Sequence, residues 1–167
     1  MESAGTVSFI AALSILVATG AGTAAHASDC DAMSDLVDFV AEETGRHRLE
    51  FCPQVSVTTS TALREMFAEA SAHGEVPMAA FVPKQHRILL GPEIDLATVL
   101  GRSYLVHEIV HAAQAADPHP HVLSCAGLNE SEAYWVQASY LHNHGMAKAA
   151  RGFELMSVMS AACPQPY

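Results

Sequence analysis

Between Asp95 and Ala116 the chain reads DLATVLGRSYLVHEIVHAAQAA, an apolar segment into which two histidines and a glutamate are set. Val99, Leu100, Leu105, Val106, Ile109, Val110 and Ala113 leave little of a helical circumference for water, so the spacing predicts a helix that runs through a core. A helix of that kind must supply partners for His107, Glu108 and His111, because a buried imidazole or carboxylate without one is costly. Asp117-Pro118-His119-Pro120-His121 stops it, since a residue before proline avoids the helical region and proline lacks the N–H that would continue the ladder.

The flanking sequence supplies what could surround such a helix. Residues 31–45, DAMSDLVDFVAEETG, place Met33, Leu36, Val37 and Val40 at helical spacing and stop at a glycine. Pro53 opens a short β-type run, VSVTT, and Thr59-Ser60-Thr61 precedes ALREMFAEASAH, a second helix ended by Gly74. MAAFV and HRILL flank Pro83-Lys84-Gln85 as two antiparallel strands around a tight connection. Further on, ESEAYWVQASYLHNHG and MAKAARGFELMSVMSAAC read as two more helices divided at Gly145, with Trp135 assigned to the core. The expected class is α+β, helix-rich with a small antiparallel sheet.

Charge narrows the partners. Lys+Arg number 8 against 18 Asp+Glu, a formal charge of −10, and the few cations form no stripe that could neutralise phosphates. Nucleic acid and anionic lipid surfaces are therefore not expected. Val7 to Ala25 carries no charge and ends in Ala25-His26-Ala27, the small-x-small pattern of a cleaved secretory signal, although no Lys or Arg precedes it. The rival, an uncleaved anchor, is disfavoured because the second half of the stretch is rich in Ala, Gly and Thr. The expected organisation is a signal peptide at 1–27 and one domain at 28–167, secreted or periplasmic, without stable membrane association after cleavage. Cys30, Cys52, Cys125 and Cys163 all follow the cleavage point, and no CxxC pair exists, which favours two disulfides over a cysteine zinc site. Proximity in sequence suggests Cys30–Cys52 and Cys125–Cys163.

Chemistry concentrates in His107-Glu108-Ile109-Val110-His111, an HExxH arrangement. Histidines at i and i+4 stand on one helix face about 6 Å apart along the axis, so both imidazoles reach one Zn2+, while Glu108, rotated by about 100°, lies beside it. That leaves Glu108 free to take a proton from water as it attacks a carbonyl and to pass it to a leaving amine. Chance alone would produce an HExxH from this chain's ten histidines and its glutamates with a probability of about 4%. A third ligand is then needed. Asp117 sits where the pattern HExxHxxGxxD has its acid, but Gln114 replaces the turning glycine; the alternatives are Glu130 and Glu132 of the following helix. With Asn129 as N-cap, Glu132 would close a capping box, which leaves Glu130 favoured for the metal.

The two motifs SYLVHEIVHAAQ and NESEAYWVQASYL resemble the gluzincin branch of the zincin metallopeptidases, over roughly 40 residues, and small secreted members with an E-x-x-A-Y variant most of all. The resemblance implies a minimal zincin-like fold, a peptide or protein substrate, Zn2+ held by His107, His111 and Glu130, and Glu108 as general base. It places Tyr134 where such families often carry an Asp that supports a histidine ligand. Tyr134, Tyr140 and His142 are candidates to donate to the oxyanion of a tetrahedral intermediate, with Tyr134 and His142 assigned to catalysis beside Glu108. Gln114, on the ligand face, reads as a packing contact or a partner of a ligand, and Arg87–Leu90 as an edge strand to which a peptide adds. The competing reading is a non-catalytic secreted protein of the same fold that binds peptide or metal, the latter drawing also on His119, His121, His142 and His144.

Overall fold

The computed structural model describes residues 32–66, 77–117 and 126–162. In chain order these form α1 (Ser34–Thr44), β1 (Gln54–Val57), α2 (Ser60–Met66), β2 (Ala79–Val82), a 3-10 turn (Pro83–Gln85), β3 (Arg87–Leu90), α3 (Val99–Ala116), α4 (Ala126–Asn143) and α5 (Ala147–Ser160). The class is α+β, helix-rich with one small sheet. The expected signal peptide, His119, His121 and three of the four cysteines lie outside the described residues; Cys52 is disulfide-bonded. Among the described residues no helix is long and apolar enough to cross a membrane.

The sheet departs from expectation in one respect. Its order is β1-β3-β2, with β3 antiparallel to β2 but parallel to β1, so it is mixed and not purely antiparallel. The β2–β3 hairpin turns tightly through Pro83–Gln85, and His86 at φ 48° closes it. β1 instead reaches the opposite edge of β3 over a crossover that includes α2, which brings the two strands side by side in the same direction. Consequently Arg87–Leu90 is the central strand and not an edge; β1 and β2 are the edges.

Both faces of this sheet are covered, which is why RILL reads as a continuous apolar run. Ile88 and Leu90 join Ala79 and Phe81 in the main core with α1 and α3, while Leu89 and Ala80 meet Leu63 of α2 on the other side. α3 passes through that core with Leu105, Val106, Ile109, Val110 and Ala112 all buried. It begins at Val99, later than Asp95, because Asp95–Thr98 is spent on a turn: Thr98 N–H returns to the Asp95 carbonyl at 3.0 Å, and the Thr98 hydroxyl then accepts the Gly101 N–H at 2.9 Å as an N-cap. That turn lies directly against the first coil of the helix, so a Cβ at Gly101 would stand 1.9 Å from the Asp95 carbonyl oxygen.

α4 packs on α3 through Ala133, Val136 and Tyr140 and on α5 through Ala138 and Leu141. Gly145, at φ 75°, lets the chain reverse so that Met146 N–H reaches the Leu141 carbonyl at 2.9 Å. Trp135 falls between these two packed faces and is 58% exposed, so it is not a core residue.

Gly101→Ala is expected to destabilise the protein by about 1–3 kcal/mol, because backbone must move to admit the methyl group. Gly152→Ala, in open space on α5, should be neutral or stabilising by up to about 1 kcal/mol. Paired urea denaturation curves check both.

Candidate metal centre

The centre is assembled by two helices. His107 and His111 occupy successive turns of α3 on the side facing α4, and their Nε2 atoms lie 3.2 Å apart. Glu130, in the second turn of α4, places one carboxylate oxygen 3.4 Å from His107 Nε2 and the other 3.3 Å from His111 Nε2. The three ligand atoms are mutually within 4.8 Å, a spacing that a single cation can draw together. His107 is buried, whereas the Glu130 side chain is 45% exposed, so the cluster is closed at its base and open toward Glu130.

Hydrogen bonding fixes which nitrogen each histidine presents. The Ser103 hydroxyl donates to the Leu100 carbonyl at 2.7 Å, and so can only accept from the Gln137 carboxamide N–H at 3.1 Å. Gln137 is thereby turned with its Oε1 toward His107 Nδ1 at 3.1 Å, which makes Nδ1 the donor and leaves the Nε2 lone pair for the cation. Gln114 repeats the arrangement at His111. Its amide nitrogen donates to the Asn129 carbonyl at 2.9 Å and to Glu132 at 2.8 Å, both of them acceptors only, so Oε1 faces His111 Nδ1 at 2.8 Å. Gln114 is therefore a partner of a ligand. Ser103 and Gln137 lie inside the two quoted motifs without being singled out there; their sequence signal is that they are polar at positions where α3 and α4 bury their faces.

Glu108 is 5% exposed and stands off the ligand face. It accepts a hydrogen bond from the Phe81 main chain. Phe81 occupies a register position opposite Ile88 from which its N–H points away from β3, since Met78 and Gly91 mark the hydrogen-bonded positions of the pair. The edge strand β2 and the HExxH helix are thus joined through this carboxylate. Tyr134 is also at the centre: its ring lies 4.6 Å from that of His107 and stacks at 6.2 Å on Phe153.

Other candidates are placed elsewhere. His142 is not brought to the cluster; it lies twelve residues beyond Glu130, about 18 Å along the helix, and pairs with Glu154 at 2.7 Å. Tyr140 is buried against Phe39, with its hydroxyl accepting from Arg102 Nε at 3.2 Å. His144 Nδ1 bonds the Tyr140 carbonyl. Glu132 and Asp117, the alternative third ligands, both face Arg46, whose guanidinium reaches Asp117 at 2.6 Å and Glu132 at 2.8 Å. Nor does Glu132 close a capping box, because α4 starts at Ala126 and Asn129 is already inside it.

The electrostatics are those of a cation site. Burial would lower the pKa of His111, but its bond to Glu130, the charges of Glu108 and Glu130, and Gln114 outweigh this and raise it to about 9. Burial would raise Glu130, yet hydrogen bonds from His107 and His111 and their positive charge hold it well below the usual carboxylate range. Glu108 is pushed up by desolvation, against the opposing pull of His107 and His111. The cage thus stabilises an added positive charge, and its donor set of two imidazoles and a carboxylate suits zinc.

The chain belongs to the family described as Domain of unknown function (DUF6647), which matches residues 25–166. Comparison with curated proteins and with solved structures finds no match.

Two outcomes are expected of metal titrations by chelator competition. Gln137→Leu should weaken zinc binding about 10–100-fold, by releasing His107 from its fixed tautomer. In the wild type, apparent affinity should rise as pH rises toward about 9, because below that value each cation bound displaces a proton from His111.

Proposed function

We propose that this protein is a secreted or periplasmic zinc-dependent hydrolase of the gluzincin type, a metallopeptidase acting on peptide or protein substrates. The observation that carries the reading is the convergence of His107, His111 and Glu130, with ligand atoms within 4.8 Å of one another, beside a buried glutamate that is not part of the set. Both imidazoles are held with Nε2 available, and the competing acids Glu132 and Asp117 are occupied by Arg46.

When bound, zinc would supply a Lewis acid that makes water a nucleophile at neutral pH and polarises a carbonyl. His107, His111 and Glu130 would hold it. Glu108 would take the proton from the attacking water and deliver it to the departing amine. Desolvation raises its pKa, which favours acceptance of that proton. The Phe81 N–H keeps the carboxylate oriented during that cycle. Tyr134, whose ring lies against that of His107, would donate to a developing oxyanion, and His142, paired with Glu154, is assigned no part.

The expected result is one tightly held zinc per chain by elemental mass spectrometry, lost in His111→Ala and Glu130→Ala and retained in Glu108→Gln. Glu108→Gln should lower peptide hydrolysis at least about 100-fold. Zinc retained without any Glu108-dependent hydrolysis would identify a non-catalytic metal-binding protein, and absence of zinc from the wild type would dismiss the centre.

A further inference from the structure

The two histidines are supported by chains of different kinds. At His107 the chain runs through Gln137 and Ser103 to the Leu100 carbonyl and stays within α3 and α4. At His111 it runs through Gln114 to Glu132 and then to Arg46, which follows α1 in sequence and belongs to neither helix of the centre. Arg46 spans three elements: Nη1 donates to Asp117 at the end of α3, and Nη2 reaches both carboxylate oxygens of Glu132 on α4, at 2.8 and 3.2 Å. Its side chain is only 14% exposed, and its Nε is buried without a hydrogen-bond partner among the described residues. A surface ion pair has no need of such a desolvated placement, which costs more than an exposed contact of the same residues returns.

Resting on the metal-centre reading, we infer that Arg46 is a positioning residue for His111, fixing through Glu132 and Gln114 which imidazole nitrogen faces the cation. The reasoning is one of satisfiability. Gln114 can be flipped with almost no change in shape, and in the flipped state its NH2 would face His111 Nδ1 and demand that Nδ1 accept. The neutral ring would then carry its proton on Nε2, the atom aimed at Glu130 and His107. The Asn129 carbonyl accepts one amide hydrogen of Gln114 at 2.9 Å and Glu132 the other at 2.8 Å, so both oppose the flip, and Glu132 does so only while its carboxylate points at Gln114. Arg46 holds that orientation by gripping both oxygens, and the contact with Asp117 anchors the guanidinium to the end of the same helix that carries His111. His107 does not depend on this route.

That asymmetry supplies an internal control. The Nδ1–H groups of the two histidines are read separately by 15N–1H NMR of histidine-labelled protein, without metal and with zinc, in the wild type, Arg46→Met and Glu132→Ala. In the wild type both should exchange slowly with water. In Arg46→Met the His111 Nδ1–H should be lost to exchange while that of His107 persists, and zinc affinity by chelator competition should fall about tenfold. Glu132→Ala leaves Arg46 paired with Asp117 and should give the same selective loss, so it decides the matter if Arg46→Met does not fold. Unchanged His111 protection and zinc affinity would overturn the inference, as would equal loss at both histidines, which marks Arg46 as a general structural residue. Selective loss at His111 in a protein whose wild type takes up no zinc would uphold the positioning and remove the metal-centre reading.

Discussion

Burying His107 and Glu108 on a helix whose neighbours are leucine, isoleucine and valine is the constraint to which the rest of the structure answers. Each polar group on α3 would destabilise the fold if left without a partner, and the partners are drawn from several elements. Gln137 and Glu130 come from α4, the Phe81 main chain from β2, and Ser103 from the preceding turn of α3 itself. The relative placement of α4 and of the sheet edge is therefore set by polar satisfaction as much as by apolar packing. Removing any one partner leaves a buried donor or acceptor exposed to no water, which is the costly half of a hydrogen bond.

The centre is graded from inside to outside. His107 and Glu108 are sealed, His111 is partly reached by solvent, and Glu130 is close to half exposed. The family to which the chain belongs is described without a function, so this gradient and the hydrogen bonds that orient the two histidines are what the proposal rests on.

Much of this arrangement could be read from residues alone. The HExxH spacing and the apolar periodicity around it identify α3 and its buried character, and the flanking glycines and prolines locate most other elements. Glu130 could be favoured over Glu132 by position, though for an incomplete reason: Glu132 is engaged not by a helix cap but by Arg46, 86 residues away in sequence. Contacts of that range have no local signature. The parallel pairing of β1 with β3 escaped for the same cause, since a crossover decides it and a short β run says nothing of its partner. His142 shares a helix with Glu130 but lies twelve residues on, so the helical rise carries it away from the cluster. Trp135 was misplaced because a single bulky residue between two packed faces carries no periodic warning.

The Arg46 clamp also bears on how this molecule can change. It ties Asp117, just past the end of α3, to Glu132 in the second turn of α4, so a side chain arriving from beyond α1 helps to secure the meeting of those two helices. Helix ends joined in that way keep their relative position when the connection between them is lengthened or exchanged, and loop closure grows only slowly more unfavourable with length. A joint of this kind holds α3 and α4 in register, and the histidines with them, whatever the length or sequence of the connection.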